Sequence, residues 1–312
     1  MADVVLRPID RTEFPAYFRA LIETFGEDLN DSDRDAEVSV FEPERSLAGF
    51  DGDQIVATAA FYSRELTLPG GPRPVAAVTL VSVAPTHRRR GVLTEMMRRQ
   101  LAGLHDDRQE PVAALWASEG GIYGRFGYGL AASRAVLTGP LASLALRPGV
   151  DLGTGQVRLA APEQARPYLA EVYEQVRGSQ VGWLDRRGAW WDMRLRDVEH
   201  VRGGATAYRY ALNTEEDGRV TGYAVYRIKQ SWNPRREESQ VLVAELAALT
   251  APAYARLWSF VINLDLVNQV RKRICPLDEP LRHLLVDPRA LELEVLDCLW
   301  VRLADVGRAL AD

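Results

Sequence analysis

The sequence predicts an α+β fold built twice in tandem, each copy a mixed, mostly antiparallel sheet flanked by helices. Two observations carry that expectation. First, β-branched runs alternate with amphipathic stretches, the pattern of helices layered on a sheet. Second, the two halves echo each other: "DGDQIVATAAFY" (Asp51–Tyr62) is matched by "DGRVTGYAVYRI" (Asp217–Ile228). Likewise "AVTLVSVAPTHRRRGVLTEMMRRQL" (Ala77–Leu101) is matched by "VAELAALTAPAYARLWSFVINL" (Val243–Leu264). Asp51 lies as far before Ala77 as Asp217 lies before Val243. The joint falls near "LTGPLASLALRPGVDLG" (Leu137–Gly153), giving domains over 1–140 and 150–312.

The elements follow in order. "VVLRPI" (Val4–Ile9) reads as a short strand. A helix is expected from Thr12 to Phe25, where Phe14, Phe18, Leu21, Ile22 and Phe25 recur near helical spacing. "GEDLNDSDRDAE" reads as an acidic, turn-rich connection. Asp51-Gly52 marks a hairpin and "LPGGP" a second turn. Val75–Pro85 is apolar at almost every position, the mark of a strand buried on both faces. Gly91 to His105 is amphipathic, Pro111–Ser118 is another buried strand, "GGIYGRFGYG" holds a short helix, and "AASRAVLTG" a further strand.

Composition narrows the class. The 312 residues, 47% of them hydrophobic, suit two ordinary globular domains. A net charge of −5 exerts no global pull toward nucleic acid or an anionic membrane, so neither is an expected partner. Cys275 and Cys298 form neither a disulfide framework nor a metal-ligand spacing. No metal is expected, and a reducing cytoplasm is the simple setting. "MADVVLRPIDRTEF" lacks the apolar centre of a signal peptide, and no apolar run reaches the ~20 residues of a membrane span.

Arg88, Arg89 and Arg90 stand directly before Gly91, where a strand gives way to a helix. A helix start offers unpaired N–H groups, and glycine lets an anion approach them. Guanidinium forks match phosphate geometry, and Thr94 adds a hydroxyl in the first turn. With no GxxxxGK[ST] and no GxGxxG at a first βα turn, a P-loop and a dinucleotide fold are set aside. On these residues alone, a pyrophosphate cradle and a solvated basic face both stay open. The second copy has "PAYARLW" where the first has "HRRRGVL", with one arginine and no glycine. One site and one scaffold domain are therefore expected.

The pair "RRRG" and "IYGRFGYG", each after a buried strand, resembles the GNAT superfamily of acetyl-CoA-dependent N-acetyltransferases. That superfamily carries an (Arg/Gln)-x-x-Gly-x-(Gly/Ala) loop for the CoA pyrophosphate. Arg88 to Leu93 matches it at Arg88 and Gly91, with Val92 between the fixed positions. The departure at Leu93 is expected to crowd the last phosphate oxygens. Ile122-Tyr123-Gly124-Arg125-Phe126-Gly127-Tyr128 matches a second superfamily signature. More closely, "VSVAPTHRRRGVL" and "ASEGGIYGRFGYG" before a degenerate second copy resemble the enhanced intracellular survival family. Members acetylate amines on aminoglycosides, lysine or polyamine-like molecules. The resemblance implies acetyl-CoA as co-substrate and a homohexamer. It also implies a sterol-carrier-like third domain whose terminal carboxylate reaches the active site. The sequence stops at "WVRLADVGRALAD", as a fragment or a shorter relative, so that role is not transferred to Asp312.

Roles follow from the resemblance. Tyr123 is expected to protonate the departing thiolate, the alternative being a packed tyrosine that caps a carbonyl. Tyr128 reads as structural. The backbone at Val81 and Val83 is expected to pair with the pantetheine arm, an N–H there holding the thioester oxygen. Ser118 and Gly120 are expected to line the thioester pocket.

The general base is left unassigned, because His87 reads as a loop residue and His105, His200 and His283 have no motif company. Glu27 and Asp28 guide a cationic acceptor, take its proton through water, or form a solvated acidic loop. Trp190, Trp191 and Met193 in "WLDRRGAWWDMRLRD" are expected at an interdomain or subunit contact, ahead of stacking on a sugar or base. The expected activity is acetyl transfer to a primary amine of a small molecule or lysine. Transfer from longer acyl-CoAs and a CoA sensor without turnover stand as rivals.

Overall fold

The structure, a computed structural model, describes residues 4–107, 109–231 and 239–311; Asp312 lies outside them. The first half runs β1 (Val5–Arg7), α1 (Phe14–Phe25), α2 (Asp31–Val38), β2 (Ser46–Asp51), β3 (Gln54–Leu68) and β4 (Gly71–Val83). It continues through α3 (Val92–Asp107), β5 (Val112–Trp116), α4 (Gly120–Tyr123) and β6 (Gly129–Pro140). The second half runs β7 (Gln156–Ala160), α5 (Pro162–Arg177), α6 (Ala189–Leu195), β8 (Arg209–Thr214), β9 (Val220–Lys229) and β10 (Gln240–Ala248). It ends with α7 (Ala251–Ile262), β11 (Gln269–Cys275), α8 (Leu281–Leu284), β12 (Glu292–Leu303) and α9 (Val306–Ala311).

These elements form two compact units, and neither is contiguous in sequence. The first gathers residues up to Ala132, Val181–Arg194 and everything from Cys298 onward. The second takes Ser133–Gln180 and Leu195–Asp297. A single cut between residues 140 and 150 therefore does not separate them. The reason lies in the final strands. The first unit orders its strands β1-β2-β3-β4-β5-β12, and the second β7-β8-β9-β10-β11-β6. In the first unit, Leu299–Leu303 of β12 pairs antiparallel with Val112–Trp116 of β5. In the second, β6 takes the matching place beside β11. Each unit is an antiparallel meander with one parallel pair, β4–β5 or β10–β11, made by a helical crossover.

In the first unit the sheet is covered on both faces. Phe14, Tyr17, Phe18 and Leu21 of α1 are buried against Ala48, Ala60 and Tyr62. At roughly 1.5–3 kcal/mol per large apolar side chain, that stripe is what holds α1 down. Phe25, counted in the expected stripe, is exposed at the helix end. Gly26 closes α1 in the left-handed region with φ 72°. Val92, Met96, Met97 and Leu104 of α3 bury against Ala57, Ala59, Phe61, Ala76 and Val78 on the opposite face. The acidic connection contains a helix that was not expected. In α2 no residue is buried; the Asn30 side chain accepts from the Ser32 N–H, and Asp31 and Asp33 sit in the first turn. Capping and charge near the helix start supply what apolar periodicity does not.

In the second unit, Leu257, Trp258 and Val261 of α7 pack with Ala224, Tyr226 and Val241 of β9 and β10. Among the described residues no helix is long and apolar enough to cross a membrane.

Candidate active site

The site begins with a strand that loses one neighbour. β4 pairs with β3 along nearly its whole length, from Gly71 to Val83. It pairs with β5 only at Val75, Ala76 and Ala77. Beyond Ala77 the two strands part, and among the described residues the β5-facing edge of β4 has no strand partner. Residues 75–83 are accordingly less buried than a strand enclosed on both faces: Ala77 and Thr79 to Val81 are only half-buried. A register shift marks a bulge here, and Leu80 sits at φ 53°. A left-handed leucine costs about 1–3 kcal/mol and persists only when its surroundings hold it. The Thr58 hydroxyl does so, donating to the Leu80 carbonyl at 2.7 Å and lying 2.8 Å from the Ser82 hydroxyl. Farther along, the Ala84 N–H donates to the Val56 carbonyl. Antiparallel alternation then turns the polar groups of Val83 to the β5 side, where its carbonyl accepts from Arg88 Nε at 3.2 Å.

The loop after β4 is pinned before it reaches the helix. His87 is buried, and its ring lies 2.8 Å from the Thr86 hydroxyl and 3.1 Å from Asp51 Oδ2 on the β2–β3 hairpin. Arg88, Arg89 and Arg90 follow, all exposed, and among the described residues no carboxylate pairs with them. Arg89 stands at φ 63° and Gly91 at φ 84°. The Gly91 carbonyl accepts the Glu95 N–H, so Gly91 caps α3. A Cβ placed on Gly91 would meet nothing within 4 Å. The helix start is thus uncovered, and its donors face outward. Val92 is buried and anchors the first turn, while Thr94 is exposed. Leu93 packs, half-buried, among the apolar residues on the α3 face. Arg98 and Arg99 pair with Glu95 and pull its carboxyl to about 2, so the acid of the first turn is matched within α3.

Tyr123 ends α4, buried in the apolar cluster against which Val81 and Val83 also pack. It meets Tyr128 edge-on, with centroids 5.9 Å apart. Burial, and then the charge of Glu119, push its phenol pKa up, so the hydroxyl stays protonated at neutral pH. Tyr128 is also buried, and its hydroxyl has no hydrogen-bond partner among the described residues. The turn between the two tyrosines is locked from the far end of the chain: Arg302 on β12 donates to the Phe126 carbonyl. Motif reading gives no sign of that lock. Ser118 is exposed and Gly120 half-buried in the turn that leads into α4. Glu27 and Asp28 are exposed just after α1, and no hydrogen bond or ion pair holds their carboxylates among the described residues.

The aromatic stretch after Trp183 packs on β3 of the first half of the chain, as expected of a contact between the two sequence halves, and is part of the first compact unit. The strap Val181–Arg194 runs beside the end of β3: Gly182 N–H donates to Thr67, Thr67 N–H to Trp183 and Asp185 N–H to Glu65. Asp185 takes Arg64 Nε at 2.9 Å, and the Arg64 guanidinium stacks 4.0 Å from the Trp190 ring. Trp190 in turn meets Tyr62 edge-on at 5.0 Å. An open hollow of about 430 Å³ lies elsewhere, in the second unit, lined by Arg147, Val150, Pro252 and Leu284. It brings together no acid, base or nucleophile pair suited to acyl transfer.

A parallel pair that parts at a bulge, followed by an uncovered helix start, is the arrangement the resemblance to GNAT acetyltransferases implies. The comparisons agree. Residues 5–131 match an acetyltransferase (GNAT) domain family, and residues 182–303 match a second family of the same description. An uncharacterized N-acetyltransferase of Streptomyces avermitilis is 39% identical over 98% of this chain and 75% of its own length. N-acetyltransferase Eis of Mycobacterium tuberculosis is 38% identical over 83% of this chain and 62% of its own. Among solved structures, Eis1 from Mycobacterium abscessus matches with a TM-score of 0.81 and 31% identity, over 98% of this chain and 75% of that one. The chain belongs to the GNAT acetyltransferase family and is Eis-like within it. It is an acetyltransferase, and its fold implies acetyl-CoA as co-substrate.

Proposed function

We propose that the chain transfers the acetyl group of acetyl-CoA to a primary amine of a small molecule or lysine by direct attack. The acceptor is a polycation of the aminoglycoside or polyamine kind, or a lysine side chain. One observation carries the reading. The edge of β4 left by β5 after Ala77 leads through a strained bulge to the uncovered α3 start, beside three arginines without carboxylate partners.

In this reading the diphosphate rests on the first amides of α3, Gly91 and Val92 at their centre, with Arg88 to Arg90 and Thr94 around it. The pantetheine arm lies along Val81 and Val83 as an added strand. Ser118 and Gly120 flank the thioester. The amine nitrogen attacks the thioester carbon, the oxyanion collapses, and the C–S bond breaks. Tyr123 gives its phenolic proton to the departing thiolate.

The test is free-thiol release from acetyl-CoA against a panel of primary amines, among them spermidine, neomycin and a lysine peptide. Tyr123→Phe should lower kcat by roughly 10² or more while leaving CoA affinity unchanged. CoA binding without thiol release for any amine would leave the sensor reading in its place. A longer acyl-CoA that outcompetes acetyl-CoA would move the donor.

A further inference from the structure

The acyl-transfer reading leaves one role empty, because an amine reaches the site as an ammonium, with a pKa of about 10, and cannot attack until it loses a proton. We propose that the Glu37 carboxylate, held by the Tyr62 hydroxyl, receives the acceptor's ammonium and takes that proton. This rests on the acyl-transfer reading and completes it.

The placement comes from strand register. Tyr62 on β3 is opposite Ala77, the last β4 residue that pairs with β5. Its side chain is on the α1 face of the sheet, at the level where the two strands part. From there Tyr62 donates to Glu37 Oε1 at the end of α2. Farther along the same strand pair, Thr58 holds the strained Leu80 carbonyl of the bulge. The polar groups of this face thus run from the fork toward the bulge.

A second observation points to a ligand. Tyr17 of α1 is fully buried, and its hydroxyl lies beside the Thr58 hydroxyl and the Ala59 backbone of the same sheet face. It is close enough to Glu37 and Tyr62 for charge on either to bear on the other groups. A half-buried carboxylate already held by one phenol and bordered by a second is a polar spot in an otherwise apolar face, and it keeps acceptor capacity for a cationic guest. The Trp190 ring, itself stacked by the Arg64 guanidinium, packs against Tyr62 at 5.0 Å and holds that phenol in place.

The chemistry suits the role. Burial raises the Glu37 carboxyl pKa, and the Tyr62 hydrogen bond pulls it part of the way back. A carboxylate moved upward is a better proton acceptor at neutral pH than one fully in water. The groups facing it are Tyr62 from β3 and Tyr17 from α1, with Glu42 acting on Tyr62 from the loop after α2. In the step, one ammonium proton passes to Glu37, the N–C bond forms, and the C–S bond breaks. The thiolate takes the Tyr123 proton, the second amine proton restores the phenol, and Glu37 releases its proton to solvent. Acetyl-CoA and the ammonium thus become amide, CoA thiol and one proton.

The experiment compares wild type, Glu37→Gln and Tyr62→Phe in the amine panel across pH, with calorimetric CoA binding alongside. Glu37→Gln is isosteric and still accepts from Tyr62. It should lose roughly 10² or more in kcat/KM for the amine, with CoA affinity unchanged. Tyr62→Phe should move the acidic limb of kcat/KM to higher pH, because the hydrogen bond that lowers the Glu37 pKa is gone. A merely structural Tyr62 would lower activity without moving that limb. Active wild type with Glu37→Gln equal to it, or with the limb unmoved in Tyr62→Phe, overturns this assignment and leaves the transferase reading intact. Wild type that releases no thiol overturns both.

Discussion

The two units handle the same junction in opposite ways. In the first, β4 leaves β5 after Ala77; in the second, β10 leaves β11 after Val243. Those are the residues that stand at equal distance from Asp51 and Asp217 in the sequence repeat. Both strands carry a register shift just beyond the fork. The sheet geometry is therefore common to both. The helix starts differ. Gly91 has no side chain to cover the first amides of α3, and three arginines precede it. Thr250 caps α7 with its own hydroxyl, which accepts the Ala253 N–H, and Pro252 removes one donor from the first turn. After β11, α8 carries Leu281, Arg282, His283 and Leu284, with no tyrosine where α4 ends in Tyr123. A forked strand pair is thus a scaffold, and the few residues at the helix start decide whether an anion can use it.

The severest way to break this comparison is to remove what completes the first unit. A chain ending at Asp297 loses the β12 residues that pair with β5, and with them the Arg302 lock on Phe126. Calorimetry should then detect no CoA binding at all. Retained binding would mean that the first unit does not need its distant strand. A smaller and more local change is Gly91→Glu. It strains a backbone at φ 84° and sets a carboxylate against the anion. Loss of about 3 kcal/mol, roughly a hundredfold in CoA affinity, is expected from the charge-assisted contacts alone. Ala251→Glu, at the matching helix start of the second unit, should leave CoA affinity unchanged. An equal loss from both would erase the distinction between the units.

Smaller still is Thr250→Ala. Losing a side-chain cap costs about 1 kcal/mol of stability, read as a lower midpoint in denaturant. CoA affinity should not follow it. A coupled fall in both would show that the second helix start serves the cofactor after all.

What was legible in the sequence was local. The Asp51-Gly52 hairpin, the β4 run, the α3 face and both motifs each announce themselves within a short window, by turn chemistry or apolar period. So did the repeat, whose equal intervals fall on the two forks. The α2 helix was not legible, because Asp31–Val38 buries nothing and so has no period to read. The exchange of β6 and β12 was hidden for another reason. Arg302 meets Phe126, and Asp185 meets Arg64, across long stretches of chain that carry no shared spacing. Glu37 and Tyr62 show the same limit at shorter range. One looks like part of a solvated acidic run and the other like a strand residue until the sheet register brings them together. Glu27 and Asp28, the acids singled out from that run, are the ones left exposed.

The finest test concerns Tyr123, the group that α8 lacks. Burial raises its phenol pKa first, and the charge of Glu119 raises it further. A general acid works only while protonated, so kcat should fall as pH rises past that raised pKa. Glu119→Gln removes the second contribution and lowers the phenol pKa, so the alkaline limb of kcat should move to lower pH. Glu119 is exposed, and solvent screens its charge, so the shift should be roughly a few tenths of a unit and shrink further in high salt. The kcat plateau below the limb should stay where it was, since the proton donor itself is untouched. A shift to higher pH, or a limb indifferent to both Glu119 and salt, would mean that some group other than Tyr123 protonates the thiolate, and the contrast between α4 and α8 would lose its catalytic meaning.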